Sequence, residues 1–388
     1  MTAESDNRSA VRSASSTFLS FGVPIAMLGI IWPDVRERFD QTLGTLGIVA
    51  LVYGFGRMST ALTGPTLSRW FGLGRAFVVV LLALATSIGA LAASVSWPMF
   101  LVSVACIGLC SGSLDSLGVG FITEIRDVGS AGLIHGAYGV GATLGPLLVV
   151  VLPNWRIAVA GSGLIVVGAA VIALRSRESW PDIAPHVKTV GSRPPFVPAA
   201  LSLGAFCAFV AIEVTTGQWA FTQLTEARNS GETLAAVAVS LFWGGVTVGR
   251  LALVRPAVRD LTDRIGLSRL SIASLIFVAS LSFVPPMLAI PMLALSGLAL
   301  APIVPTLFAS TASRVGGNHA QQLAVLQLVA TNIGGIGVPF LTGQLVDAVD
   351  ASVIIVVIAT SGAIGALLLS AIERLPEQPT TASTRVEE

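Results

Sequence analysis

Charge is the property this sequence most lacks. Of 388 residues, 11% are Asp, Glu, Lys or Arg, against 54% hydrophobic. A soluble domain usually carries about 25% charged residues. A chain of this length cannot hide so much apolar side chain from water, so its natural solvent is lipid. The net charge of +1 leaves no electrostatic footprint for a nucleic acid. Cysteine is scarce too. Cys106, Cys110 and Cys207 sit in apolar runs and read as small hydrophobes, not as a disulfide set or metal ligands. Neither a nucleophile–base pair, a metal cluster nor a phosphate loop stands out, so neither an enzyme nor a cofactor is expected. Residues 1–16 are polar, with no cleavable signal pattern after them.

What the chain does have is a succession of long apolar runs. They fall near 17–33, 42–66, 74–94, 98–122, 130–152 and 155–174, and again near 196–222, 232–254, 268–285, 287–310, 320–346 and 351–372. A helical crossing needs about 20 apolar residues, so these predict twelve transmembrane helices. The charged, proline-bearing stretch 175–195 divides them as a linker. The expected organisation is a tail (1–16), a six-helix bundle (17–174), the linker, a second bundle (196–374) and a polar tail (375–388).

Lys188 is the single lysine beside 21 arginines. With the N-terminus in the cytoplasm and the runs alternating, 17 of the 22 basic residues fall on cytoplasmic segments and 4 outside, with Arg57 inside a helix. That asymmetry predicts cytoplasmic termini, an even number of crossings and a multi-pass protein of the cytoplasmic membrane. The halves also echo each other. Gly56-Arg57 on the second segment recurs as Gly249-Arg250 on the eighth, and Gly108-Leu109 on the fourth as Gly297-Leu298 on the tenth. An offset near half the chain length implies duplicated six-helix bundles that rock about a central cavity.

The stretch GPTLSRWFGLGR (64–75) resembles the loop 2–3 signature of the major facilitator superfamily, Gly-x-x-x-Asp-Arg-x-Gly followed by basic residues. Gly64, Arg69, Gly72 and Arg75 match, whereas Ser68 replaces the acid and one residue is inserted. Asp263-Arg264-Ile265-Gly266 in the second half keeps the acid. Charges there act as a conformational lock, paired across the cytoplasmic seam in one state and apart in the other; the alternative is that they only anchor the loops. Arg69, Arg75, Arg250, Asp263 and Arg264 are the gating candidates. Within the superfamily, Gly112-Ser113-Leu114-Asp115, Ile212-Glu213-x-x-x-Gly217-x-Trp219, Gly249-Arg250-Leu251 and Ala301-Pro302-Ile303-x-Pro305 resemble the fucose:proton symporter-like branch. Symporters of that branch can carry a further acid on the first helix; Ala26-Met27-Leu28-Gly29 has none. The resemblance implies an all-α membrane protein of two pseudo-symmetric six-helix bundles.

A charge at the bilayer centre costs at least ~2.5–3.5 kcal/mol on insertion scales, so the few buried charges carry the information. Asp115 on the fourth segment shares a face with Gly108, Ser111, Gly112 and Gly118. It reads as a proton-coupling acid, as the structural partner of Arg57, which lies at similar depth, or as both. Arg57 could alternatively grip an anionic substrate. Glu213 on the seventh segment is placed toward the outside, with Gln218, Trp219 and Gln223 nearby. Carboxylates, amides and an aromatic plate suit a hydroxylated solute; a Glu capped by helix-end backbone beside a Trp anchor is the plainer alternative. Arg250 is placed deeper, with the loop lock. His135 and Tyr138 share a face of the fifth segment. His135 either relays protons with Asp115 or is a satisfied structural histidine, and Tyr138 is a candidate substrate contact. Asn332 contacts substrate or bonds between helices. Trp32, Trp97 and Trp155 read as interface belt residues.

The function expected from these residues and the resemblance is proton-coupled symport of a small, sugar-like polar metabolite by a monomer. Its rivals are an efflux antiporter or organic-anion carrier of the same superfamily, and a membrane-embedded sensor that binds ligand without moving it.

Overall fold

In the computed structural model the chain is described over residues 3–60, 63–125, 128–152, 154–177, 179–180 and 194–375. All regular structure among these residues is helical. That follows from the solvent, because a lipid-exposed backbone must satisfy its own hydrogen bonds.

The first half comprises α1 (Ala3–Phe39), α2 (Leu46–Thr60), α3 (Gly64–Phe71), α4 (Leu73–Ala92), α5 (Trp97–Ile125), α6 (Val128–Val151) and α7 (Trp155–Arg175). The second comprises α8 (Phe196–Thr222), α9 (Glu232–Ala252), α10 (Pro256–Ile265), α11 (Leu267–Ser280), α12 (Ala289–Leu300), α13 (Ile303–Ala309), α14 (Thr311–Val315), α15 (Gly317–Asn332), α16 (Val338–Ala348) and α17 (Val353–Ile372). A π-turn, Ile333–Gly337, joins α15 to α16, and another, Gln223–Ala227, extends α8.

Among the described residues ten helical stretches are long and apolar enough to cross a membrane, and an eleventh is the pair Leu43–Thr60 and Gly64–Phe71, whose directions differ by 57°. The expected ninth crossing is the shorter α11, stopped before Pro285-Pro286, where the rings remove backbone donors and clash with a continuing helix. The first helix begins at Ala3 rather than near residue 17. Its early serines do not break it, because Ser16 and Thr17 turn their hydroxyls onto the Ser13 carbonyl, and Ala10 and Ala14 pack inward. The linker, apart from its ends, and the tail beyond Leu375 lie outside the described residues.

The internal repeat is visible in the backbone. α3 passes into α4 through Gly72 (φ 74°), and α10 into α11 through Gly266 (φ 83°), a conformation that costs glycine nothing and an L side chain ~1–2 kcal/mol. The α2–α5 and α9–α12 crossings match as well. A side chain at Gly108 would strike the Tyr53 carbonyl, and one at Gly297 the Phe242 carbonyl. Small residues bring the backbones together, as membrane helix packing favours.

Among the described residues the two halves meet chiefly where α1 packs on α8, α2 on α16, and α6 on α9. Of these, α6–α9 runs longest. Gly136 lies against Leu251 and Gly139 against Thr247, and Ser240 donates to the Thr143 carbonyl at 2.6 Å. The near end is the one where α1 starts and α17 finishes. At the opposite, far end the seam is closed, with Gly29 of α1 on the Gln218 backbone of α8 and Gly44 on Gly343 of α16. At the near end, α5 makes no comparable approach to α12–α15 among the described residues.

Candidate functional site

Two ion pairs, one per half, face the seam. In the first, Gly108 and Gly112 of α5 press against the backbone of Tyr53 and Arg57 on α2. That approach sets Asp115, one turn further along α5, beside the Arg57 guanidinium. Nε donates to Oδ2 at 2.8 Å, and Nη2 lies 2.7 Å from the same oxygen. Oδ1 accepts from no described residue. The side chains are 41% and 27% exposed, so the pair is part-buried.

In the second, Arg250 of α9 donates through Nη2 to Glu213 Oε2 of α8 at 2.6 Å. Glu213 therefore lies deeper than the expected position toward the outside, and in this structure Arg250 is paired with it. The π-turn carries α8 on to Ala227, so Glu213 lies near the middle of that span, and the long Arg250 side chain rises to meet it. The arginines are repeat equivalents, Arg57 on α2 and Arg250 on α9, but their carboxylates come from non-equivalent helices, α5 and α8.

Three aromatic side chains stand over the pairs. Tyr53 lies one turn from Arg57 on α2, with its buried hydroxyl near the Ser111 side chain. Trp243 lies two turns from Arg250 on α9. Its ring takes the space that a side chain at Gly217 would need, and its indole N–H is buried and unpartnered. Tyr138 of α6 is within electrostatic reach of Arg57, Asp115 and Glu213, so it sits between the halves. His135, one turn toward the near end, is exposed, stands edge-on to Phe18 at 5.6 Å, and is within reach of both Asp115 and Arg250. Tyr53 and Trp243 escaped the sequence reading because an aromatic inside an apolar run looks like core; their polar atoms show only once the partners are known.

Other expected site residues lie elsewhere. Trp219, read as an aromatic plate beside substrate, is fully buried and donates its indole N–H to the Pro339 carbonyl of α16 at 3.2 Å, sealing the far end. Gln218 and Gln223 are buried in that half, each with an unpartnered carbonyl oxygen. Asn332 donates to the Leu328 carbonyl of its own helix at 2.8 Å. Arg69, Arg75, Asp263 and Arg264 are exposed at the near end, and none forms an ion pair with a described residue. Trp32 and Trp155 are buried rather than belt residues; Trp32 donates to the Leu43 carbonyl at 2.9 Å. No cluster of His, Cys, Asp or Glu suited to a metal occurs among the described residues.

The arrangement is two part-buried, charge-balanced ion pairs, one in each helical bundle, in a chain whose bundles pack together at the far end. The glucose/mannose transporter GlcP of Bacillus subtilis is 20% identical over 344 residues, covering 84% of this chain and 85% of that protein. Bypass of stop codon protein 6 of Saccharomyces cerevisiae is 25% identical over 281 residues, covering 61% of this chain and about half, 54%, of the yeast protein. A point mutant of the nucleoside transporter NupG superposes with a TM-score of 0.73 over 96% of this chain and 100% of that one, at 11% identity, a likeness of fold. The sequence model of the Major Facilitator Superfamily matches residues 14–339, which covers most of the described helices; this chain is a member of the Major Facilitator Superfamily.

Proposed function

We propose that this carrier, which moves a small solute by alternating access, is a proton-coupled symporter of a small polar metabolite, sugar-like and neutral overall. The observation that carries this reading is that the arginine of each bundle is already neutralised by a carboxylate. Each guanidinium already holds a carboxylate at 2.8 Å or less. A net anion would have to displace one of them, whereas a hydroxylated neutral solute can share the donors and acceptors left over. The likeness to a glucose/mannose transporter points the same way.

Proton coupling rests on Asp115. Both contacts from Arg57 fall on Oδ2, so Oδ1 can take a proton. Protonation weakens the hold on Arg57 and biases the two access states differently, which is what coupling requires. His135, within electrostatic reach of Asp115, is the relay in this reading. In this reading Glu213 and Tyr138 contact the solute. Gln218, Gln223, Trp219 and Asn332 reach it only when the far end opens. Arg69, Arg75, Asp263 and Arg264 close the near end. The arginine asymmetry of the sequence supports placing the near end and both termini in the cytoplasm, and in this reading the carrier works as a monomer.

A thermal-shift screen of purified protein against neutral sugars, sugar acids and amino sugars, followed by proteoliposome flux with and without an imposed pH gradient, tests this. Stabilisation by a neutral sugar and uphill uptake driven by external acid are expected. Flux indifferent to the gradient removes the coupling, and selective stabilisation by anions removes the neutral substrate.

A further inference from the structure

The far end is closed by a contact separate from the two ion pairs. Asp347, on the last turn of α16 in the second half, lays its carboxylate on the start of the second crossing in the first half. Oδ1 accepts from the Gly44 backbone N–H at 2.7 Å, and Oδ2 accepts from the Thr42 hydroxyl at 2.6 Å. The first turn of a helix exposes N–H groups with no partner inside the helix, and a carboxylate there meets both those donors and the positive end of the dipole. Thr42 stands where a cap is expected, yet it makes no cap hydrogen bond. The cap comes instead from a residue 303 positions away.

The backbone makes room for it. A side chain at Gly44 would strike Gly343, one at Gly343 would strike Gly44, and one at Gly47 would come within 2.8 Å of the Phe340 carbonyl. Glycines therefore bring α16 close enough for a short aspartate to reach. Closure also has a cost. Gln218, whose backbone packs on Gly29 across the same closed end, keeps a buried carbonyl oxygen without a partner, and an unsatisfied buried acceptor is unfavourable. Opening wets that oxygen and removes the cap, so the two effects oppose each other across one seam.

We propose that Asp347 is the latch of the far-end gate, a helix cap lent by one bundle to the other that exists only while the far end is shut. The latch stands on the fold and on these hydrogen bonds, not on the identity of the solute or on proton coupling.

The test is accessibility. In a background with Cys106, Cys110 and Cys207 replaced by alanine, Gln218→Cys is labelled with a membrane-impermeant maleimide added at the far side of oriented vesicles. Asp347→Ala is expected to raise the labelling rate about five- to tenfold, the change an N-cap loss makes in a two-state equilibrium. Asp347→Asn keeps a capping oxygen and stays within about twofold of the parent. Thr42→Val, which removes one donor and leaves the carboxylate, gives an intermediate rise and serves if Asp347→Ala does not insert. Gly343→Val wedges the seam and shows that the assay detects opening. Parental labelling in both Asp347→Ala and Thr42→Val, with Gly343→Val fast, overturns the latch. Equal acceleration by Asp347→Asn and Asp347→Ala assigns the effect to charge and overturns the cap.

Discussion

Arg57 turns both its Nε and its Nη2 onto a single oxygen of Asp115. The other oxygen accepts from no described residue. A carboxylate held on one side and free on the other can gain a proton without first losing its partner. Asp115→Asn should therefore preserve insertion and downhill exchange while abolishing accumulation against a gradient. Stability should fall by about 1–2 kcal/mol; removing one partner of a fully buried pair costs ~3–5 kcal/mol, and that figure is discounted because Arg57 is 41% exposed. Exchange and pH-driven uptake, measured side by side in proteoliposomes, check this. Wild-type accumulation in Asp115→Asn would remove Asp115 from the coupling step.

The second pair makes a different prediction. Glu213 is only 11% exposed, against 28% for Arg250, so losing the arginine leaves a buried carboxylate alone. Arg250→Met should cost more stability than Glu213→Gln, by about 1–2 kcal/mol, and the double variant should recover most of the loss, because replacing both partners avoids an orphaned charge. Thermal unfolding of the four proteins closes the cycle. Additive losses would mean that the two side chains do not act as a pair.

Much of this was legible in the sequence because lipid makes composition decisive. Asp115 and Arg57 were matched in depth by counting residues from helix ends, and Gly72 and Gly266 were found as an echo half a chain apart. Counting failed for Glu213 and Arg250 because a π-turn lengthens α8 beyond the point where an ordinary helix was expected to stop, and because a long arginine side chain can meet an acid a turn or more away. Asp347 was missed for another reason. It stands just past the eleventh apolar run, where an acid reads as a loop residue, and its hydrogen bonds go to the start of a crossing more than 300 residues earlier. Arg69, Arg75, Asp263 and Arg264 give the converse case: their spacing is readable in the sequence, but none forms an ion pair with a described residue.

Glycines at the repeat-related turns should be far less replaceable than glycines on helix faces. Gly72→Val and Gly266→Val force a β-branched side chain to φ 74° and 83°, which costs about 1–3 kcal/mol each. Gly168, inside α7, has open space where a Cβ would go. Gly168→Ala should be neutral or stabilising by up to about 1 kcal/mol, since alanine is the better helix former. Melting temperatures of the three variants in one detergent give the comparison, and equal effects would mean that the turn conformation is not what selects glycine there.

Trp180 gives the last prediction. It lies just past α7, in the stretch that leads out of the first half, yet it is 9% exposed. Its ring stacks on Phe77 of α4 at 4.5 Å and tilts against Phe121 of α5 at 4.8 Å. Gly74 permits this, because a side chain there would meet the Trp180 ring at 2.7 Å. The exit from the first bundle is thus pinned to the near ends of α4 and α5, and α5 also carries Asp115. Trp180→Ala removes a large ring from between two phenylalanines and should cost about 3 kcal/mol, at the lower end for buried aromatic truncations, because the site lies at the bundle's edge. Trp180→Phe keeps the stacking and loses only an indole N–H that has no partner, so it should lie within about 1 kcal/mol of the parent. Limited proteolysis after residue 180 separates a local from a global effect: cleavage should speed up in Trp180→Ala well below its melting temperature and stay at the parental rate in Trp180→Phe. Unchanged cleavage in Trp180→Ala would show that the linker is held by something other than this ring.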